Sequence, residues 1–189
     1  MKRALPGLLL LFCAGPLAAQ APPPAASLQT DGLESDWEIA AVLQKIGDHA
    51  SRILPLLSQA DTAAWTSKGA PAAYAEQLQS SKEQARALVA ETKAVAGEPR
   101  TLSGELKVLF REQSLEMTLG TVADGLRKYQ SQETAQQLIA ASAETGEDRD
   151  RLQHYIVNLA AQREKEFMML DSEVQRCRAT VMTPPKKKK

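Results

Sequence analysis

Aromatic residues make up only 4% of the 189-residue chain, and it holds two cysteines and two histidines. Each scarcity excludes a chemistry. A c-type haem needs Cys-x-x-Cys-His, which Cys13 and Cys177 cannot supply. A di-iron bundle uses Glu-x-x-His, but Ile46 lies three residues before His49 and Arg151 three before His154. The chain has no His-Glu-x-x-His, EF-hand loop, P-loop or Gly-x-Ser-x-Gly. No acid pair stands out by spacing, so an envelope hydrolase built on scattered carboxylates is disfavoured. The fold is read as non-enzymatic, with no cofactor and no metal site. With so few aromatics, a base-stacking or sugar-ring site is disfavoured as well. No solenoid-length repeat is present, and the only long apolar run is at the N-terminus.

That run carries the compartment. Met1-Lys2-Arg3 precedes Ala4 to Ala14, then Gly15-Pro16 and small residues up to Ala21. A basic start, a short apolar core and small residues form a secretory signal, too short to span a bilayer. Cleavage after Ala19 is preferred, because Pro22 hinders the alternative site after Ala21. Phe12 before Cys13 argues against a lipoprotein. The chain is thus expected to be exported, periplasmic or extracellular, with residues 1–19 removed. Residues 20–32 form a Pro/Ala-rich flexible lead-in, 33–182 a helical bundle and 183–189 a disordered basic tail.

Export changes the charge balance. The chain has 23 basic and 23 acidic residues. Without Lys2, Arg3 and the four terminal lysines, 17 basic residues face all 23 acids, a charge of −6. The body is acidic and the tail basic, which disfavours nucleic acid as a partner. Lys186, Lys187, Lys188 and Lys189 are a candidate contact for polyanions or anionic lipid, giving peripheral membrane contact through the tail, against the plainer reading of a solvated tail.

The body is rich in Ala, Leu, Gln, Glu, Lys and Arg and lacks alternating apolar runs, which predicts an all-α fold. Ser35-Asp36-Trp37-Glu38 reads as a capping box. Ile39, Leu43, Ile46, Ala50, Ile53 and Leu57 then form one stripe, with a kink or break expected near Pro55. A short turn at Asp61–Trp65 precedes a helix carrying Tyr74, Leu78, Ser81, Ala85, Leu88, Thr92 and Val95, closed by Gly97 and Pro99. Its small residues imply a close neighbour. The third long helix, Leu102 to Tyr129, shows two adjacent stripes. One holds Leu102, Leu106, Leu109, Met117 and Gly120; the other holds Val108, Leu115, Leu119, Val122, Leu126 and Tyr129. Glu133–Glu144 is a further short helix, and Thr145-Gly146-Glu147-Asp148 reads as a second cap.

The last helix places Leu152, Ile156, Leu159, Arg163, Phe167, Leu170, Val174, Cys177 and Val181 in step, with Arg163 snorkelling or paired to another helix. The expected architecture is an antiparallel bundle of about four main helices. Cys177 keeps step with Val174 and Val181 and reads as a buried structural thiol. An intermolecular disulfide and a reactive thiol are the alternatives. His49 and His154 read as surface histidines, Trp37 and Trp65 as core plugs, and Met168-Met169 as packing.

The segment Trp65-Thr66-Ser67-Lys68-Gly69-Ala70-Pro71-Ala72-Ala73-Tyr74 and the late Gln175-Arg176-Cys177-Arg178 resemble landmarks of uncharacterised exported bacterial helical proteins. The resemblance covers most of the chain after the signal, implies a bacterial envelope location and brings no catalytic residues. The Leu-Thr-x-x-Gln landmark of small periplasmic helical chaperones is absent. Two functions follow as expectations. The first is an exported bundle that binds a protein or envelope component. The second is a small-molecule-binding bundle with a pocket near Gly120, Gly125 and Pro55.

Overall fold

A computed structural model describes residues 33–182, and residues 1–32 and 183–189 lie outside the described region. The regular elements are α1 (Asp36–Ser58), α2 (Thr62–Ser67), α3 (Ala72–Ala96), α4 (Leu102–Tyr129), α5 (Gln132–Ala143) and α6 (Gly146–Met182). The all-α reading holds, with four long helices and two short ones.

Helix α1 starts where the capping box was read. Glu38 Oε2 accepts from the Ser35 amide at 3.0 Å and from its hydroxyl at 2.6 Å. All six stripe residues from Ile39 to Leu57 are buried. The helix passes through Pro55 without breaking and ends at Ser58. Proline there removes only the ladder bond to the Ser51 carbonyl, within the last turn.

Packing between α1 and α3 is close because small residues meet. A Cβ added to Gly47 would lie 2.4 Å from Thr92 Oγ1. The expected α3 positions Leu78, Ser81, Ala85, Leu88, Thr92 and Val95 are all buried. At the far end, Trp65 of α2 is buried and a Cβ on Gly125 would meet its ring at 3.1 Å. Trp65 Nε1 donates to Gln130 Oε1 at 2.9 Å, and the Asp61 amide donates to the same oxygen. Gln130 Nε2 in turn donates to the Gln59 carbonyl at 2.7 Å. One side chain thus ties the ends of α1, α2 and α4.

Cross-helix pairs give the directions. Gly47 faces Thr92, and Arg111 Nε bonds Glu91 Oε2 at 2.6 Å, so α3 runs against both α1 and α4. Arg151 makes a forked pair with Glu34 at 3.1 and 2.8 Å, and Tyr155 Oη donates to the Pro99 carbonyl at 2.8 Å. Helix α6 therefore runs against α1 and α4, on both of which it packs. The order is up, down, up, down.

The fourth column is split. Helix α5 packs on α4 and α1, and α6 takes over from it. At 1.5 Å per residue, α4 is about 42 Å long, and α5 plus residues 146–159 of α6 cover about 39 Å of the same column. Since α6 begins halfway along, most of its length overshoots the bundle. Leu152, Tyr155, Ile156 and Leu159 are buried, and among the described residues none beyond Leu159 is.

The structure corrects four expectations of burial. On α4, Met117 is 79% exposed and Gly120 is exposed, and a Cβ on Gly120 would meet nothing within 4 Å. Glu105 and Glu112 are buried instead, because they keep the three-and-four step of Val108, Leu115, Leu119, Val122 and Leu126 that faces the core. Trp37 is exposed, on the side of α1 opposite its stripe, while Trp65 is the core plug. His49 is buried, since it follows Val42 and Ile46 and precedes Ile53 in the same helical step. The stripe of α6 beyond Leu159, Cys177 included, is exposed, as are Met168 and Met169 beside it, because no described element reaches them.

Candidate functional site

Two regions depart from what a plain bundle needs. One is polar and internal, the other apolar and external.

The internal region lies at the junction of α5 and α6. Thr145, which reads as a helix cap, is buried, and its hydroxyl donates to Glu112 Oε1 at 3.1 Å. Glu112 Oε2 and His49 Nδ1 are buried with no hydrogen-bond partner. The nearest acid to His49 is Glu144 Oε2 at 3.9 Å, too long for a hydrogen bond. Glu112, His49, Ile53, Leu88, Leu119 and Thr145 line a cavity of about 10 Å³. That is room for about one water and for no organic ligand.

Burial sets the charge of both groups. It raises the Glu112 carboxyl above its ordinary range, opposed by the Thr145 bond and Arg149. Burial, helped by Arg52, lowers the His49 imidazole and favours its neutral form. Two turns along α4, Glu105 is fully buried and neither of its oxygens has a partner. Desolvation first, then Asp36, pushes its carboxyl up to about 8. Glu105 and Glu112 sit about 10 Å apart along the helix axis. Among the described residues, no cluster of three His, Cys, Asp or Glu could hold a metal ion.

The external region is α6 past Leu159. Phe167 is 71% exposed, Leu170 66% and Val181 85%; Val174 and the free Cys177 are exposed with them. The spacing of Leu152 and Val181 amounts to eight full helical turns and about 20°, so this stripe continues the face that docks on the bundle. Arg163 pairs at 2.9 Å with Glu166 of its own helix, neither snorkelling nor reaching another helix's acid. Its second nitrogen reaches the Arg100 carbonyl at 3.5 Å, at the bundle's end.

The structure does not bring the sequence-predicted residues together. Cys177 is on the projecting helix, exposed where a buried thiol was expected. Lys186, Lys187, Lys188 and Lys189 lie outside the described residues. His154 is exposed as expected, its Nδ1 2.9 Å from the Asp150 carbonyl. The pocket expected near Gly120 and Gly125 is not there: Gly120 faces open space, and the rings of Trp65 and Tyr74 fill the space beside Gly125. Sequence reasoning missed His49, Glu105 and Glu112, whose one signal was their register with apolar neighbours. Among the described residues, no helix is long and apolar enough to cross a membrane. Comparison of the chain with family models, curated proteins and solved structures returns no match.

Proposed function

We propose that the chain is an exported, non-enzymatic helical bundle whose work is to bind a protein, with the projecting half of α6 as the contact surface. The observation that carries this reading is the run of Phe167, Leu170, Val174 and Val181 on one exposed helical face. A soluble surface scatters its apolar residues; a contiguous stripe on an otherwise charged helix marks an interaction site. The stripe adds nothing to the stability of the bundle, since residues 167–182 are all exposed. Export and an envelope location belong to the same proposal and rest on the signal-like N-terminus.

A photo-crosslinking amino acid placed at Leu170, in the chain expressed in its native envelope, tests the reading. Specific protein adducts are expected from Leu170 and not from Val157, which is 61% exposed on α6 but off the stripe. Equal adduct formation from the two positions, or none from Leu170, refutes it.

A further inference from the structure

The same stripe says what kind of partner fits it. We infer that the projecting half of α6 pairs with that of a second copy of this chain, in antiparallel register centred near Ser172. This rests on the reading of the α6 stripe as a protein contact surface, and it names the partner.

The direction follows from the bundle's position. Leu152, Ile156 and Leu159 are buried against α1 and α4, so the bundle sits on the stripe side of α6. Two copies aligned in parallel, stripe to stripe, would each put a bundle into the same space between the helices. Antiparallel copies place their bundles at opposite ends and leave the stripes free to meet.

The register follows from the heptad step. Phe167, Val174 and Val181 occupy one seam position, and Arg163, Leu170 and Cys177 the other. Antiparallel seams pair unlike positions. Centring on Ser172 stacks Leu170 on Val174, Phe167 on Cys177 and Arg163 on Val181, each twice by symmetry. No other centring within the helix uses all six. In the same register Met182, the last described residue, falls level with Gln162 of the second copy, short of the buried Leu159.

Charge agrees with direction. The half of the projection nearer the bundle, up to Ser172, carries Glu164, Glu166 and Asp171 against Arg163 and Lys165, and is net acidic. The half beyond Ser172 carries Arg176 and Arg178 against Glu173 alone, and is net basic. Antiparallel copies bring acidic halves onto basic ones, with Glu164 facing Arg178 of the second copy, whereas parallel copies set like on like. Glu173 opposes its own copy near the two-fold axis, which holds the affinity down. With under three heptads of seam, the pairing is weak and concentration-dependent.

The test uses the chain from Gln20 to Lys189, reduced, in sedimentation equilibrium from about 1 to about 200 μM. A monomer–dimer equilibrium is expected, weakened at least tenfold by Leu170→Glu. Far-UV circular dichroism should not change, because Leu170 is exposed. Register is read by oxidation. Phe167→Cys should give a disulfide dimer in which peptide mapping finds residue 167 joined to Cys177. The unsubstituted chain should give no Cys177 bridge, since those thiols sit about 15 Å apart along the antiparallel axis, beyond disulfide reach. A Cys177–Cys177 bridge as the main product overturns the antiparallel register, and a monomer at every concentration overturns self-pairing. If the Leu170 crosslinker then yields only adducts with other proteins, self-pairing fails while the protein-binding reading stands. If it yields none, both fail.

Discussion

Glu105 makes the sharpest energetic prediction. It is fully buried, both oxygens lack partners, and its carboxyl titrates near 8 where the free side chain titrates at 4.5. A raised folded value means that the native state holds the proton more tightly than the unfolded chain. The carboxyl's contribution is therefore intact below 4.5 and is lost as the pH climbs through 8. One pKa unit is worth about 1.4 kcal/mol, so the penalty is about 1 kcal/mol at pH 5, about 3 at pH 7 and above 4 at pH 9. Against a total stability of about 5–15 kcal/mol that is a large share. Glu105→Met keeps the length of the side chain and removes the titrating group. The variant should gain on the parent by about 4 kcal/mol between pH 5 and pH 9, with the steepest gain around pH 6–7. Urea unfolding followed by buried Trp65 fluorescence and by circular dichroism at several pH values measures this. His49 and Glu112 titrate in both proteins and cancel in the difference. A difference that stays constant with pH would show that Glu105 is solvated or paired, and would refute a buried carboxyl without partners.

Three further outcomes follow from packing. Gly47→Ala should cost about 1–3 kcal/mol, because its Cβ would meet Thr92 Oγ1 at 2.4 Å; pairing it with Thr92→Ala should recover most of the loss in a double-mutant cycle. Gly120→Ala, with open space around it, should stabilise by about 1 kcal/mol in the same unfolding assay, and a loss would mean that α4 is not helical there. Gln130→Ala removes three hydrogen bonds, strands the buried Trp65 indole and should cost about 2 kcal/mol, with a shift in Trp65 emission that Gln130→Glu, which keeps the acceptor, reproduces only in part.

Helix boundaries and most of the core were legible because they rest on short-range rules. The stripe from Ile39 to Leu57 and the small-residue face of α3 are periodic, and Gly97, Pro99 and the Ser35–Glu38 box punctuate them. What periodicity reports is which residues share a face. It does not report whether a neighbour covers that face, and so the α6 stripe, correct as a stripe and as core up to Leu159, was wrong as core beyond it. Nor does residue type decide burial alone. Carboxylates ordinarily mark a solvated face, which hid Glu105 and Glu112, although both keep step with Val108 and Leu115. The Thr145-Gly146 sequence has the form of a helix start, and a helix does start there; its placement beside Glu112 depends on α4, which no local pattern encodes.

The split fourth column has a consequence for distance. Because α5 uses up half the column, the stretch 160–182 is delivered as about 34 Å of uninterrupted rod whose length is set only by residue count. Inserting one heptad past Arg163 would lengthen it by about 10 Å and leave the seam nearly in line with the bundle. Inserting two residues would turn the seam by about 200° and point it away from the space beneath the bundle. The helix thus works as a ruler: reach can vary in heptads, and phase cannot vary without losing the face.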